Sequence, residues 1–285
     1  MIINIPEILA RIDEVADPLE KIRQVGGALS EVKNLTAELS RVRRDEVERL
    51  IAGKIMSQNE IARQVGLTSA RMSQLLTSGP APERAFFGVG VKTVIVAVAQ
   101  KMEAEKAKPG PVVSVDDMWA YDNLRVLVED LGFDSAYEVI PPPGNVRLNR
   151  DGLVIVCGPR HSSLISQILE SDDKLAFEKD SSGWYLVDRV TGTAYRSAED
   201  SGGNGDTAYL GRLPRPDGKG TFLYIAGIHA AGAAGVVHYL QNELPNLYRE
   251  VRHRRFSTLI SCQYDPNSRK VIDSERITPI YRHEA

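Results

Sequence analysis

The sequence predicts a two-domain protein, in which an N-terminal all-helical domain precedes an α/β domain with a mainly parallel sheet and one antiparallel hairpin. Three observations predict this fold class. Apolar residues recur every three or four positions through residues 1–78. Short β-rich runs alternate with helical stretches from Val91 onward. A segment with three glycines and two prolines, 78–90, separates the two patterns. We therefore predict a helical domain at 1–78, a linker at 79–90 and an α/β domain at 91–285.

The composition is that of a globular protein. The 285 residues are 42% hydrophobic and 26% charged, which fits one large or two ordinary domains. Lys and Arg number 35 against 38 Asp and Glu, so the formal net charge is −3 and a nucleic-acid contact requires a local basic patch. Cys157 and Cys262 lie inside apolar runs without metal-type spacing, which favours a reduced, cytoplasmic protein with no metal site and no cofactor.

No signal peptide or membrane span is expected. Residues 1–15 contain no basic segment ahead of a continuous apolar run. Residues 222–242 lack Lys, Arg, Asp and Glu, but they contain three glycines and two histidines and are typical of a strand followed by a helix. We therefore expect no membrane partner.

An apolar stripe runs along the helical domain from Ile8 to Val42. Asp17 and Pro18 predict a helix start, with Asp17 as the cap and Pro18 in the first turn. Gly26 and Gly27 are expected to weaken or break that helix. The stripe fits a core of the helical domain and part of a dimer interface equally well.

Residues 57–76 carry the pattern of a helix-turn-helix. Ser57 and Glu60 predict a capping box for the first helix, Gly66 is the turn glycine, and Thr68 can cap the second helix. The residues expected to pack the two helices together are the small Ala62 and the apolar Ile61, Val65, Leu67, Met72 and Leu75.

That packing leaves polar side chains of the second helix facing outward. Arg can form paired hydrogen bonds with guanine and Gln with adenine, while hydroxyl groups contact phosphates or base edges. The predicted DNA contacts are Thr68, Ser69, Arg71, Ser73 and Gln74, with Arg43 and Arg44 as phosphate contacts. An ordinary helical hairpin and a solvated helix face remain the alternatives.

Residues 56–76, MSQNEIARQVGLTSARMSQLL, resemble the helix-turn-helix of bacterial transcriptional regulators, especially the type in region 4 of sigma factors. The resemblance implies promoter or operator DNA as the partner, with the second helix in the major groove. It does not imply a sigma factor, because the chain has no counterpart of the region that grips the −10 element and melts DNA. The residues from Val91 look like the α/β portion of regulators that pair such a motif with a sensor domain. Because one motif reads few base pairs, a homodimer is expected.

The α/β domain has a predicted element order. Strands are predicted at 91–99, 136–140, 153–157, 184–190, 221–227, 256–264 and 275–282. Helices are predicted at 116–131, 162–170, 232–240 and 244–255. The turn at 190–193 predicts the antiparallel hairpin, and 199–206 is expected to be a surface loop.

Two glycine-bearing turns each lead from a strand into a helix. The first turn predicts an anion- or phosphate-binding site made by Gly158, Arg160, His161, Ser162 and Ser163. A tight strand-to-helix connection that binds no ligand fits the same residues equally well. The second, with Gly227, His229 and Gly232, imitates a dinucleotide-binding loop in which His229 replaces the middle glycine. Both turns are expected to line one crevice for a small anionic or nucleotide-like ligand, because ligands of open α/β sheets bind at the carboxyl ends of strands.

A nucleotide- or glycoside-processing enzyme is the alternative function, with the helix-turn-helix as a targeting or interaction module. Residue types suited to acid–base chemistry are Asp116, Asp117, Glu138, Arg160, His161 and His229. No nucleophile elbow, P-loop or metal motif accompanies them, so no catalytic residue is assigned. The sequence thus favours a ligand-sensing regulator over an enzyme.

Overall fold

A computed structural model of the chain describes residues 11–77, 82–103 and 107–283. The chain divides into two compact units, which separate between Pro82 and Glu83. Beyond the helical residues 11–13, the described helices of the first unit are α1 (Pro18–Ala52), α2 (Gln58–Gln64) and α3 (Ser69–Thr77).

Helix α1 begins where the sequence predicts. The Asp17 carboxylate accepts a hydrogen bond from the backbone N–H of Leu19 at 3.0 Å, and Pro18 occupies the first turn. The predicted weakening at Gly26 and Gly27 does not end the helix, which is continuous over 35 residues. Each glycine costs a helix only about 1 kcal/mol relative to Ala, and their neighbours include good helix formers.

The three helices share a small apolar core. Its buried residues are Val47, Ile61, Ala62 and Met72, and partly buried apolar residues pack against them. Val65, predicted as a packing residue, is instead exposed at the C-terminal cap of α2. The side chain of Leu75 lies outside the described residues.

The second unit is an α+β unit built on an eight-stranded mixed sheet. Its strands are β1 (Thr93–Ala99), β4 (Asp134–Ile140), β5 (Leu153–Val156), β9 (Gly205–Pro214), β10 (Thr221–Gly227), β11 (Arg255–Tyr264), β12 (Val271–Arg276) and β13 (Tyr281–His283). The strand order is β12-β11-β9-β10-β5-β1-β4, with β13 pairing β11 at one end. Strands β4, β1, β5 and β10 are parallel neighbours, whereas the remaining pairings are antiparallel.

Two smaller sheets accompany the large one. Strands β2 (Lys101–Met102) and β3 (Pro111–Val112) form an antiparallel pair. Strands β6 (Leu175–Asp180), β7 (Gly183–Asp188) and β8 (Thr193–Tyr195) form an antiparallel meander, which confirms the hairpin predicted at the 190–193 turn.

Side chains of successive strand residues point to opposite faces of the large sheet, and each face has its own apolar core. Helices α4 (Val115–Asp130) and α6 (Ala230–Val251) cover one face. Helix α5 (Ser163–Leu169) and the β6–β8 meander cover the other. This arrangement leaves the carboxyl ends of β1, β5 and β10 at one edge, between the two layers.

Several predicted elements need correction, and one of them is the strand predicted at 275–282, which is divided between β12 and β13. The segment predicted as linker includes a 3₁₀ turn at Pro82–Phe86, and Phe86 and Phe87 are buried in the core of the second unit. Helix α6 is a single helix with Pro245 inside it, where two helices were predicted. Strand β9 was not predicted, and the 199–206 segment predicted as a loop contains the 3₁₀ turn Ala198–Ser201 and the start of β9.

Candidate functional site

A crevice lies at the carboxyl ends of the parallel strands, and both predicted glycine turns reach it. The residues that line it are Ala99, Lys101, Asp117, Cys157, Gly158, Arg160, His161, Ile225, Ala226, Gly227, His229, Ala230 and Ala233. They come from β1, β2, α4, the end of β5, the end of β10 and the start of α6. Open α/β sheets bind ligands at this place in the fold.

The first glycine turn contributes cationic and imidazole groups to the crevice, but its hydroxyl groups do not line it. Ser162 is buried, donates a hydrogen bond to the carbonyl of Gly144 at 2.7 Å and accepts one from the N–H of Ile165 at 3.4 Å. Ser162 therefore caps α5, a helix of seven residues. The predicted anion seat is corrected accordingly: Gly158, Arg160 and His161 line the crevice, whereas Ser162 and Ser163 do not.

The second glycine turn is closed from inside by a carboxylate. Asp206, at the start of β9, accepts hydrogen bonds through Oδ2 from the N–H groups of His229 (2.8 Å) and Gly232 (2.9 Å). Asp206 is 2% exposed, and burial raises the pKa of its carboxyl to about 7. Because this carboxylate already occupies the N-terminus of α6, the turn is not an open phosphate-binding loop. Gly227 and His229 still line the crevice, but Gly232 does not.

Charged groups of both signs meet in the crevice. Burial raises the pKa of Asp117 to about 6, against the opposing effect of Lys101 and Arg160 nearby. Burial, followed by the same two cations, lowers the pKa of His161 to about 4, so this imidazole is neutral at pH 7. The Arg160 Nε donates to His161 Nε2 at 3.2 Å. Lys101 and Arg160 thus supply two positive charges beside one carboxylate.

An aspartate–histidine pair borders the crevice. His229 Nε2 lies 2.7 Å from Asp200 Oδ1, in the 3₁₀ turn Ala198–Ser201. The preceding residue in that turn, Glu199, pairs with Arg269 at 2.9 Å, and Arg269 also pairs with Asp116 at 2.7 Å. The turn is therefore tied to the start of α4 through one guanidinium group.

The residues of the alternative enzyme prediction divide into two sets. Asp117, Arg160, His161 and His229 line the crevice. Asp116 pairs with Arg269, and Glu138 on β4 is held by Arg150 at 2.6 and 2.9 Å, so neither lines it. Both cysteines are buried, and burial raises the pKa of each thiol to about 12, which leaves them unreactive.

Sequence reasoning missed three contributors to this region. Lys101 lies in a two-residue strand just after β1, and a lone lysine there carries no motif. Asp200 and Asp206 fall in the segment predicted as a loop. A signal was present for Asp206, since a carboxylate near the start of a helix is favourable, but its partner helix begins 24 residues later in the chain.

In the first unit, the capping predictions for α2 and α3 are confirmed. Ser57 and Glu60 form the reciprocal capping box, and Gly66 adopts φ +71°, a conformation that favours glycine. The Thr68 Oγ1 accepts a hydrogen bond from the N–H of Arg71 at 3.1 Å.

The predicted DNA-contacting residues differ in their surroundings. Thr68, Ser69, Arg71, Ser73 and Arg43 are exposed, and the side chain of Gln74 lies outside the described residues. Ser69 donates to Asn59 at 2.9 Å, and Ser73 accepts from Gln58 at 2.8 Å, so these hydroxyls also tie α3 to α2. Arg44 is only 4% exposed, which corrects its prediction as a phosphate contact.

Comparison of the chain with models of known protein families, with curated proteins and with solved structures finds no match. Among the helices of the described residues, none is both long enough and apolar enough to serve as a membrane span.

Proposed function

We propose that the chain is a sequence-specific DNA-binding transcriptional regulator, with a second unit that binds a small anionic ligand. The observation that carries the proposal is the geometry of α2 and α3. Gly66 joins the two helices, buried Ile61, Ala62 and Met72 pack them, and Arg71 is exposed at the start of α3. A helix-turn-helix requires a turn glycine, a small apolar contact and a polar outer face.

Because the overall charge is −3, contact with DNA is expected from a local surface, made here by the outer face of α3 and by the exposed Arg43. The resemblance of residues 56–76 to regulator helix-turn-helix motifs supports the same function. A homodimer on a two-fold site gives such a protein enough base pairs to be selective. The two buried, free cysteines fit a reducing compartment such as the cytoplasm.

DNA binding is tested on duplexes selected from a random pool by repeated binding to the full chain, followed by fluorescence anisotropy at two salt concentrations. Arg71→Ala is compared with Arg125→Ala, which removes a partly exposed arginine of α4. Loss of one base-reading arginine costs about 1–3 kcal/mol, or roughly 5- to 150-fold in affinity. Equal affinities for wild type and Arg71→Ala, or failure to select any duplex, would contradict the proposal.

The crevice supports the ligand-binding part. Lys101 and Arg160 lie near one buried carboxylate, so an anionic ligand is favoured over a neutral one. Calorimetry with pyrophosphate and ADP, with adenosine as the uncharged control, tests this on the full chain. We expect pyrophosphate and ADP to bind and adenosine not to bind. Arg160→Ala should lower the affinity for both anions. Binding of adenosine alone would exclude an anion site.

An enzyme acting on nucleotides or glycosides is the second candidate, and the Asp200–His229 pair favours it, because a carboxylate orients an imidazole for proton transfer. Turnover distinguishes it from a sensor. Product formed from a bound nucleotide, and lost in His229→Gln without loss of binding, would establish catalysis. Saturable binding without product supports the sensor.

A further inference from the structure

One face of helix α1 exposes a row of large apolar side chains. Its members are Leu19, Ile22, Val25, Leu29, Val32, Leu39 and Val42, and their exposed fractions range from 39 to 67%. Single exposed apolar residues are common, but a continuous row of this size on one helix marks an interaction surface. The sequence left open whether the stripe from Ile8 to Val42 is core or interface; Ile12 is buried, whereas the exposures of the seven residues of this row exclude them from the core of the described first unit.

The row follows the period of a coiled coil. Ile22, Val25, Leu29, Val32, Thr36 and Leu39 are spaced 3, 4, 3, 4 and 3 residues apart, which places them alternately at the a and d positions of a heptad. We call these six residues the α1 seam. They span 18 residues, or roughly 27 Å of helix.

Thr36 is the one polar member of the α1 seam, and its polarity is satisfied within the helix. Its hydroxyl donates to the carbonyl of Val32 at 2.8 Å. The methyl group is then free to pack against a partner without leaving a buried hydroxyl unpaired. The seam therefore has apolar contact groups at all six positions.

We propose that the α1 seam pairs with the same seam of a second copy of this chain, as a parallel two-stranded coiled coil. A seam with a 3.5-residue period matches another helix of the same period, and an identical seam is the simplest such partner. The other described residues of the first unit contact α1 near its two ends. Asp13 pairs with Lys21 near the start, and the α2–α3 core packs near Val47 toward the end. A Cβ added at Gly26 or Gly27 would meet nothing within 4 Å beyond the nearby backbone of the helix itself, so this stretch gains little support from its own chain.

The parallel direction, unlike pairing itself, rests on the proposed function. Helix α1 carries α2 and α3 at its C-terminal end, where Leu50 and Ile51 pack with Ile61. Parallel pairing brings both α3 helices to the same end, as a two-fold site with half-sites about 34 Å apart requires. Antiparallel pairing would separate them by the length of the coiled coil.

Light scattering after size-exclusion chromatography tests self-association on the full chain. Wild type is expected at twice the 31.4 kDa chain mass, and Leu29→Glu combined with Leu39→Glu at the monomer mass with unchanged circular dichroism. Both substitutions replace exposed residues with a good helix former. Ile272→Glu, at an equally exposed apolar residue of β12, is the matched control and should remain dimeric. A monomeric wild type, or a double variant that stays dimeric, overturns the proposal, whereas the Arg71→Ala comparison tests DNA binding separately.

Cross-linking tests the direction. The sequence has only two cysteines, both buried, so an introduced cysteine on α1 is the accessible thiol. In a parallel pair each a position faces its own equivalent, and Leu29→Cys should form a disulfide-linked dimer under mild oxidation. Gln24→Cys, off the seam, should not. A dimer by mass in which Leu29→Cys fails to cross-link overturns the parallel direction.

Discussion

The Asp206 Oδ2 atom lies 2.9 Å from the backbone nitrogen of Gly232 and holds the first turn of α6 against the start of β9. A second N–H, that of His229, points at the same oxygen. The carboxylate thus performs inside the protein the role that a bound phosphate performs in a dinucleotide-binding loop. This contact explains why a glycine-rich turn that resembles a nucleotide loop in sequence is not open to a nucleotide in the structure.

Removing this carboxylate should destabilise the second unit. Asp206→Ala leaves two N–H groups without their acceptor, at a cost of about 2–4 kcal/mol. Asp206→Asn keeps a carbonyl acceptor in the same place and removes a charge that burial disfavours, so at pH 8 it should recover that loss fully. Chemical unfolding followed by tyrosine and tryptophan fluorescence measures the difference. Asp134→Ala, at an exposed carboxylate, is the control. Equal stability of Asp206→Ala and wild type would contradict this assignment.

The close packing at this turn also predicts the effect of a single added methyl group. A Cβ at Gly232 would lie 2.5 Å from Asp206 Oδ2 and 2.8 Å from the Cα of Gly227, two atoms fixed by the same turn. Gly232→Ala should therefore cost about 1–3 kcal/mol, as overpacked cores do. Gly27→Ala on α1 meets nothing within 4 Å and should instead favour its helix by about 1 kcal/mol. Melting temperatures of the two variants should move in opposite directions; a shift of both in the same direction refutes the packing argument.

Asp117 should make the stability of the second unit depend on pH. Because burial raises the folded-state pKa of this carboxyl from 3.8 to about 6, the charged form is disfavoured in the fold. The cost is absent below pH 3.8, grows as the pH rises toward 6, and is complete above it. Asp117→Asn removes the cost of burying this charge. At about 1.4 kcal/mol per pKa unit, the free energy of unfolding at pH 8 should rise by about 3 kcal/mol. Urea unfolding at pH 8 and pH 4 should show that gain only at pH 8. Asp122→Asn, at an exposed carboxylate, should leave the free energy of unfolding unchanged at both pH values. If Asp117→Asn raised the free energy of unfolding equally at pH 8 and pH 4, titration would be ruled out as the cause.

The sequence predicted those parts of the fold that depend on local pattern. The cap at Asp17, the Ser57–Glu60 capping box and the 190–193 hairpin turn each involve residues a few positions apart, and each is confirmed. The failures concern contacts between distant residues. Strand β9 has both faces buried and contains glycines at 205 and 211, so it shows no alternation of polar and apolar residues. Asp206 looks like a loop residue because the helix that it caps is distant in the chain.

The same distinction applies to the crevice. The two glycine turns were predictable because each follows an apolar strand, and the rule for open α/β sheets placed them together. The charge balance was not predictable, because Lys101 from β2 and Asp117 from α4 reach the crevice only through the tertiary fold. A helix-turn-helix pattern likewise could not reveal that Arg44 would be buried beside it.

The charge balance predicts how anion binding responds to pH. Among the described residues that line the crevice, Asp117 is the only carboxylate, and its pKa of about 6 means that it becomes neutral between pH 8 and pH 5. His161, with a pKa of about 4, remains neutral over the same range. Sulfate, whose charge is fixed in this interval, should therefore bind more tightly at pH 5 by about 1 kcal/mol, or roughly fivefold, through the loss of one nearby negative charge.

The variants separate Asp117 from Asp206, the carboxyl beside the crevice whose pKa burial raises to about 7. Asp117→Asn should bind sulfate at pH 8 as tightly as wild type binds it at pH 5, and Asp206→Asn should keep the pH dependence. If instead the dependence survives in Asp117→Asn and disappears in Asp206→Asn, the carboxyl at the N-terminus of α6 controls anion binding. Lys101 and Arg160 lie near the Asp117 carboxylate, so protonation of Asp117 should raise the affinity of the crevice for an anion. Calorimetric titrations with sulfate at pH 8 and pH 5 measure this coupling between protonation and anion binding.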